Sequence, residues 1–234
     1  MALQLYMAIN STEFYNLTQM PSHPAWMACH FSGCSSGLSN LPATFPQGSI
    51  LMLDDSIPIQ GHDPQRILDE LLGLHERIKP CAFLLDLQRP GSLEAAEMAR
   101  FLSQALPCPV AVSHLYAAGL DCPVFLPPPP LHKRLQEYLK PWNGREIWLE
   151  VAPDCQRMTV TREGCQITPE YATDLPEPVF YNEELFCWYH TQVQEDRAVF
   201  TLQRGQKEWN SLLLQAEMLG VTYCIGLYQN PQLP

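Results

Sequence analysis

The sequence predicts an α/β fold: a (β/α)8 TIM-like barrel with shortened early helices and antiparallel hairpin insertions near its C-terminal end. Three observations lead there. Eight short apolar segments of strand length punctuate the chain, apart from two hairpin-like pairs. The central segments alternate with stretches of helical periodicity, which is the β-α-β rhythm of a parallel sheet. No Gly-rich phosphate loop follows any of them, which sets a barrel ahead of an open doubly wound sheet. At 234 residues a single domain, 1–234, is expected, with the hairpins inserted over about 155–203.

The first strand is expected over Leu3 to Ile9. Asn10, with Glu13 three residues on, predicts a reciprocally capped short helix around Ser11 to Thr18. Trp26 to Phe31 is the second strand, and 32–48, rich in Ser, Gly, Pro and Asn, reads as loop. Ser49 to Leu53 is the third, running into Asp54 and Asp55. Asp63-Pro64 gives an N-cap with proline at the first helical position. The helix behind it, Pro64 to Ile78, carries Ile67, Leu68, Leu71, Leu72 and Ile78 on one apolar stripe.

The strand at the centre of the scheme is Ala82 to Leu87, flanked by that helix and by a second one, Leu93 to Leu106. Ser92 caps the second helix, whose inner face is expected to hold Leu93, Ala96, Leu102 and Leu106. Pro109 to Val112 and Pro123 to Leu126 are the fifth and sixth strands. Four prolines, Pro127 to Pro130, force an extended exit from the sixth. A helix over Leu131 to Leu139 and a seventh strand over Glu146 to Val151 follow. Hairpins are expected at Met158 to Thr168 and Phe186 to Gln203. A helix over Gln206 to Leu219, stopped by Gly220, precedes the eighth strand, Val221 to Leu227.

Composition narrows the function. The net charge is −11, and no basic stripe with interleaved aromatics is present, so neither nucleic acid nor an anionic membrane surface is an expected partner. The N-terminal stretch lacks a signal-peptide pattern, and no run approaches the roughly 18 apolar residues of a membrane helix. Nine scattered Cys fit reduced, mostly buried thiols, so a cytoplasmic chain is expected. Cys29, His30 and Cys34 have no second ligand pair at zinc spacing, and no metal or other cofactor is expected.

The stretch Cys81 to Pro90 resembles the fourth strand of glycoside hydrolase family 18, the chitinase-like barrels, whose pattern is D-x-x-D-x-D-x-E, often followed by Tyr-Pro. Cys81 and Leu84 stand in the places of the first two Asp, Asp86 matches the third, and Gln88 replaces the Glu. Arg89-Pro90 occupies the Tyr-Pro place. The order of elements is also similar, with the hairpins where the family inserts a segment before its last helix and strand. The resemblance implies a mechanism in which that Glu protonates the leaving sugar oxygen while the substrate's acetamido group attacks. An amide has no proton to give at neutral pH, so Gln88 can bind a glycosidic oxygen but not act as its acid. The family's Met-x-Tyr-Asp on the sixth strand is here Phe125-Leu126-Pro127-Pro128. Tyr223, Cys224 and Ile225 stand near the place of its closing Trp.

The expected function is therefore a divergent barrel of this kind that lacks the acid catalyst and binds an oligosaccharide or other glycan, or a protein partner, at the C-terminal mouth. One alternative is an active glycosidase with relocated carboxylates, Asp86 with Glu150 or Asp54. Another is a structural or interaction protein whose hairpins form an interface. Candidate binding residues are Gln88, Asp55, His114, Tyr116, Trp188 and Tyr228. With His30 or His114 the carboxylates could instead hold a divalent metal, although no dense ligand motif calls for one. Trp26, Trp142, Trp148 and Trp209 read as packing residues.

Overall fold

The computed structural model describes residues 2–33, 37–170, 174–205 and 207–228. The chain divides into two compact units. One comprises Met1–Pro127, Gly144–Glu150 and Val221–Pro231; the other comprises Pro128–Asn143, Val151–Gly220 and Gln232–Pro234.

In the first unit, β1 (Gln4–Ile9) ends at Asn10, whose side chain accepts the Glu13 amide at 2.8 Å. The Glu13 carboxylate accepts the Asn10 amide in return, also at 2.8 Å, so α1 (Ser11–Asn16) starts from the reciprocal cap that the spacing predicts. β2 (Pro24–Phe31) follows. The predicted loop 32–48 contains one short strand, β3 (Leu38–Ser39), which folds back antiparallel on β2. Next come β4 (Ile50–Asp54), α2 (Pro64–Ile78), β5 (Ala82–Asp86), α3 (Leu93–Ala105), β6 (Val110–Ser113) and β7 (Val124–Leu126). Asp63 caps α2 through the Gln65 amide at 3.0 Å, with Pro64 at its first position.

Two helical faces differ from the expected stripes. In α2, Leu74 is buried while Leu72 is only half-buried. In α3 the buried set is Ala95, Met98, Ala99 and Leu102, and Leu93 is 78% exposed. Leu93 immediately follows the Ser92 cap, and the 3.6-residue repeat that starts at Ala95 leaves it on the solvent side. The helix expected from Leu131 begins later, as α4 (Leu135–Leu139), because the four prolines run into a turn closed by Lys133 N–H on Pro130 O.

β8 (Ile147–Val151) returns to the barrel. Five antiparallel strands then form a separate sheet: β9 (Asp154–Thr161), β10 (Gly164–Pro169), β11 (Phe180–Asn182), β12 (Cys187–Val193) and β13 (Arg197–Arg204), in the order β10-β9-β13-β12-β11. Both predicted hairpins are present, and β11 is a strand that the sequence does not announce. α5 (Trp209–Met218) closes at Gly220, whose φ of 85° is the left-handed exit that a glycine accepts without strain. β14 (Val221–Leu227) is the last strand.

The barrel is closed. Eight parallel strands pair in the ring β1-β2-β4-β5-β6-β7-β8-β14, with β14 back against β1. Its interior is filled by Tyr6, Ala8, Ala25, Ile50, Met52, Ala82, Leu84, Ala111, Phe125, Trp148 and Ile225. The four alanines make room for Tyr6, Phe125 and Trp148, so the ring encloses packed side chains and not a channel. The outward set, including Leu51, Leu53, Phe83, Leu85, Val110 and Val112, is also buried. Strands buried on both faces explain why they read as continuous apolar runs.

In the second unit, one face of the five-stranded sheet is apolar. Cys187 and Leu202 pack there with Leu131, against Met158, Leu185, Tyr189 and Phe200. Arg204 ties the segment before α4 to this sheet. Its guanidinium donates to Phe186 O at 3.1 Å, Leu185 O at 2.8 Å and Pro129 O at 3.0 Å, and the residue is 2% exposed.

Candidate functional site

Side chains alternate along a strand, so residues two beyond an inward-facing one also face inward. Met52, Leu84 and Trp148 belong to the barrel interior. Two residues on, at the C-terminal strand ends, stand Asp54, Asp86 and Glu150. This is the end where barrels of this class carry their chemistry. Asp54 and Asp86 lie directly opposite one another in the β4–β5 register. All three are half-buried, and Gln88, two residues beyond Asp86, is exposed.

Each carboxylate has a different environment. Asp54 meets His30 at the end of β2, with Nδ1 to Oδ2 at 2.6 Å, and also accepts the Ser56 amide at 2.9 Å. Asp86 accepts the Gln88 side-chain amide, Nε2 to Oδ1, at 2.5 Å. Burial pushes the Asp86 carboxyl up to about 6; the Gln88 bond opposes that rise, and the charges of Asp54 and Asp55 add to it. Glu150 is pushed up to about 7, first by burial and then by the charge of Asp86. The barrel end thus holds two carboxyls whose charged forms burial disfavours, Glu150 on β8 the more readily protonated and Asp86 on β5 the more readily ionised, a division of roles that acid–base chemistry uses.

The chain that leaves β5 is held from several sides. Asp55, 2% exposed, accepts the amides of Gln88 at 2.8 Å and Arg89 at 3.0 Å. Arg89 returns its guanidinium to Asp55 O at 2.7 Å and Ser56 O at 2.5 Å. Ser113 donates to Leu87 O at 2.7 Å, and the Tyr116 hydroxyl donates to Arg89 O while accepting the Ser92 amide. Asp55 and Tyr116 are therefore engaged by the chain itself, and their effect at the site is to fix where Gln88 stands.

The other predicted residues are spread more widely. His114, at the end of β6, is half-buried, and its imidazole is kept below the ordinary histidine range by burial. Tyr228 extends the β14–β1 pairing through its amide on Ala8 O at 2.9 Å, which puts it at the same end of the barrel. Trp188 belongs to the second unit, 42% exposed, with its indole N–H on Glu208 Oε1 at 2.8 Å. Cys81 lies against the Tyr6 hydroxyl at 3.3 Å, and Leu84 is fully buried in the barrel interior. Cys34 lies outside the described residues. Among the described residues no three His, Cys, Asp or Glu side chains gather in a metal-binding group.

The His30–Asp54 pair is the feature that sequence reasoning missed as a pair. Its signal is a register one: His30 lies opposite Asp54 only once β2 is placed parallel to β4. The buried Arg204 had no sequence signal at all, since its partners are three backbone carbonyls.

No family model matches the sequence, and no curated protein is similar to it. Solved structures do match by shape. The spore cortex-lytic enzyme SleL of Bacillus cereus superposes with a TM-score of 0.60 at 10% identity, over 100% of this chain and 72% of that one. A glutamate-to-glutamine mutant of a class V chitinase from Nicotiana tobaccum, in complex with NAG4, has a TM-score of 0.60 at 9% identity, covering 99% and 95%. A chitinase-like agglutinin from Robinia pseudoacacia has a TM-score of 0.56 at 12% identity, covering 94% and 93%. The fold of this chain is that of the chitinase-like glycoside hydrolase barrels.

Proposed function

We propose that this protein is a glycan-binding barrel of the chitinase-like fold that has lost the acid catalyst. It takes a β-linked N-acetylglucosamine oligosaccharide at the C-terminal strand ends. The observation that carries this reading is Gln88: an exposed amide stands two residues beyond Asp86, and its N–H is given to that carboxylate. Its carbonyl oxygen remains as an acceptor for a sugar hydroxyl, and no proton is available there for a leaving group. An agglutinin and NAG4-bound chitinases among the structural neighbours support carbohydrate as the ligand class. The test compares the native chain with Gln88→Glu on chito-oligosaccharides. The native chain is expected to bind the tetramer without cleaving it. Turnover by the native chain equal to or above that of the variant overturns the reading.

A second reading rests on the acid–carboxylate pair. Glu150, pushed up to about 7, would serve as acid and Asp86 as its ionised partner in a relocated hydrolytic site. It predicts measurable native turnover that Glu150→Gln abolishes. Native turnover that survives Glu150→Gln, or its absence altogether, removes this reading.

A further inference from the structure

The apolar face of the five-stranded sheet is covered by its own core, and the other face carries a groove of about 320 Å³. Register brings its lining together. Arg157 and Thr159 of β9 stand opposite Thr201 and Val199 of β13, which stand opposite His190 and Gln192 of β12. All the lining side chains but Pro176 and Val199 are polar, and the volume is at the lower end of small-ligand sites.

The charges in the groove balance. Arg157 is paired with Glu170 at 2.6 Å. Arg197 gives its Nε–H to the neutral amide oxygen of Gln194 at 2.6 Å, and Asp174 also lines the groove. A ligand here meets two guanidinium groups and two carboxylates, so a neutral polyhydroxylated molecule fits better than an anion or a cation.

His190 is the second, independent feature. It is 6% exposed, yet it lines the groove. Its Nδ1 lies 3.0 Å from Pro178 O. A carbonyl only accepts, so Nδ1 carries the proton and Nε2 is left as a fixed acceptor. Donors on Arg157 and Arg197, hydroxyls on Thr159 and Thr201, and this acceptor together match the mixed hydrogen bonding of sugar hydroxyls.

On the same face, two residues before His190, stands Trp188, with Tyr181 opposite it in register and the ring centroids 5.0 Å apart. The indole is pinned by Glu208 and still 42% exposed. A pre-oriented aromatic surface beside a polar groove is the pairing that a pyranose ring uses, with its C–H face on the ring and its hydroxyls in the groove.

We propose that the Arg157–His190–Gln192–Arg197 groove, with Trp188 and Tyr181 beside it, is a second oligosaccharide-binding site, for a neutral β-linked N-acetylglucosamine chain. The choice of sugar rests on the reading of the barrel end given above; the site itself does not. The test titrates the N-acetylglucosamine tetramer into the full chain by calorimetry. Two sites per chain are expected. Gln192→Ala and Arg197→Ala should each weaken one site about tenfold or more and leave the other unchanged, whereas Gln88→Ala should weaken only the other. All three residues are exposed, and circular dichroism of each variant checks that the fold is kept. An isotherm unaffected by both groove variants overturns the second site and leaves the barrel-end reading standing. A single site that responds to the groove variants and not to Gln88→Ala supports the groove and overturns the barrel-end reading. No tetramer binding by the native chain overturns both.

Discussion

At the scale of single residues, the carboxyl pair on β5 and β8 makes stability depend on pH in a definite direction. Asp86 rises from 3.8 to about 6 and Glu150 from 4.5 to about 7 on folding. The protonated forms are the ones the fold favours, so this contribution is fully present below about pH 4 and is lost as pH rises through 6 and 7. Glu150→Gln removes the part due to Glu150. The thermal midpoint of the variant minus that of the native chain should therefore grow from pH 5 to pH 8. After allowance for partial exposure the gain at pH 8 is about 1–2 kcal/mol. Taking the difference cancels the titration of every group that does not interact with Glu150. A difference that is flat with pH would mean that Glu150 is not held as an acid in the native chain.

At the scale of elements, strands and their neighbours were legible wherever local chemistry sets them. The Asn10–Glu13 cap, the Asp63-Pro64 start of α2, the Gly220 stop and both hairpins rest on contacts a few residues apart. β3 and β11 were not legible, because they are short and exist through pairing with β2 and β12. The same holds for Arg204, whose role comes from three carbonyls that the chain brings to it from residues 129, 185 and 186. Arg204→Met keeps the volume of the side chain but leaves those carbonyls unpaired in a buried place. The expected loss is about 3 kcal/mol, read as a lower denaturant midpoint in tryptophan fluorescence and circular dichroism. A loss below about 0.5 kcal/mol would show that water replaces the guanidinium at little cost.

At the scale of the whole molecule, the closed ring was legible because doubly buried strands are apolar throughout and strand-end carboxylates stand out against them. What converges at the barrel end was not, since the neighbours Asp54, Asp86 and His30 are set by register across separate strands. The same ring also bears on the proposal that this barrel binds without cleaving. In the related pattern an Asp stands where Leu84 is, and here Leu84 is fully buried in the barrel core with Met52, Ala111, Phe125 and Trp148. A carboxylate placed there would lose its water with no cation among those core neighbours to pair with it, at a cost of about 4 kcal/mol or more. Gln88 is exposed, so Gln88→Glu is tolerated by the fold, although it places a second carboxylate beside Asp86. We expect Leu84→Asp to lower the thermal midpoint by many degrees while Gln88→Glu changes it little. The double variant should be no more active than Gln88→Glu alone. A stable Leu84→Asp,Gln88→Glu chain with greater turnover than Gln88→Glu would mean that the apolar interior does not bar hydrolysis at this barrel end.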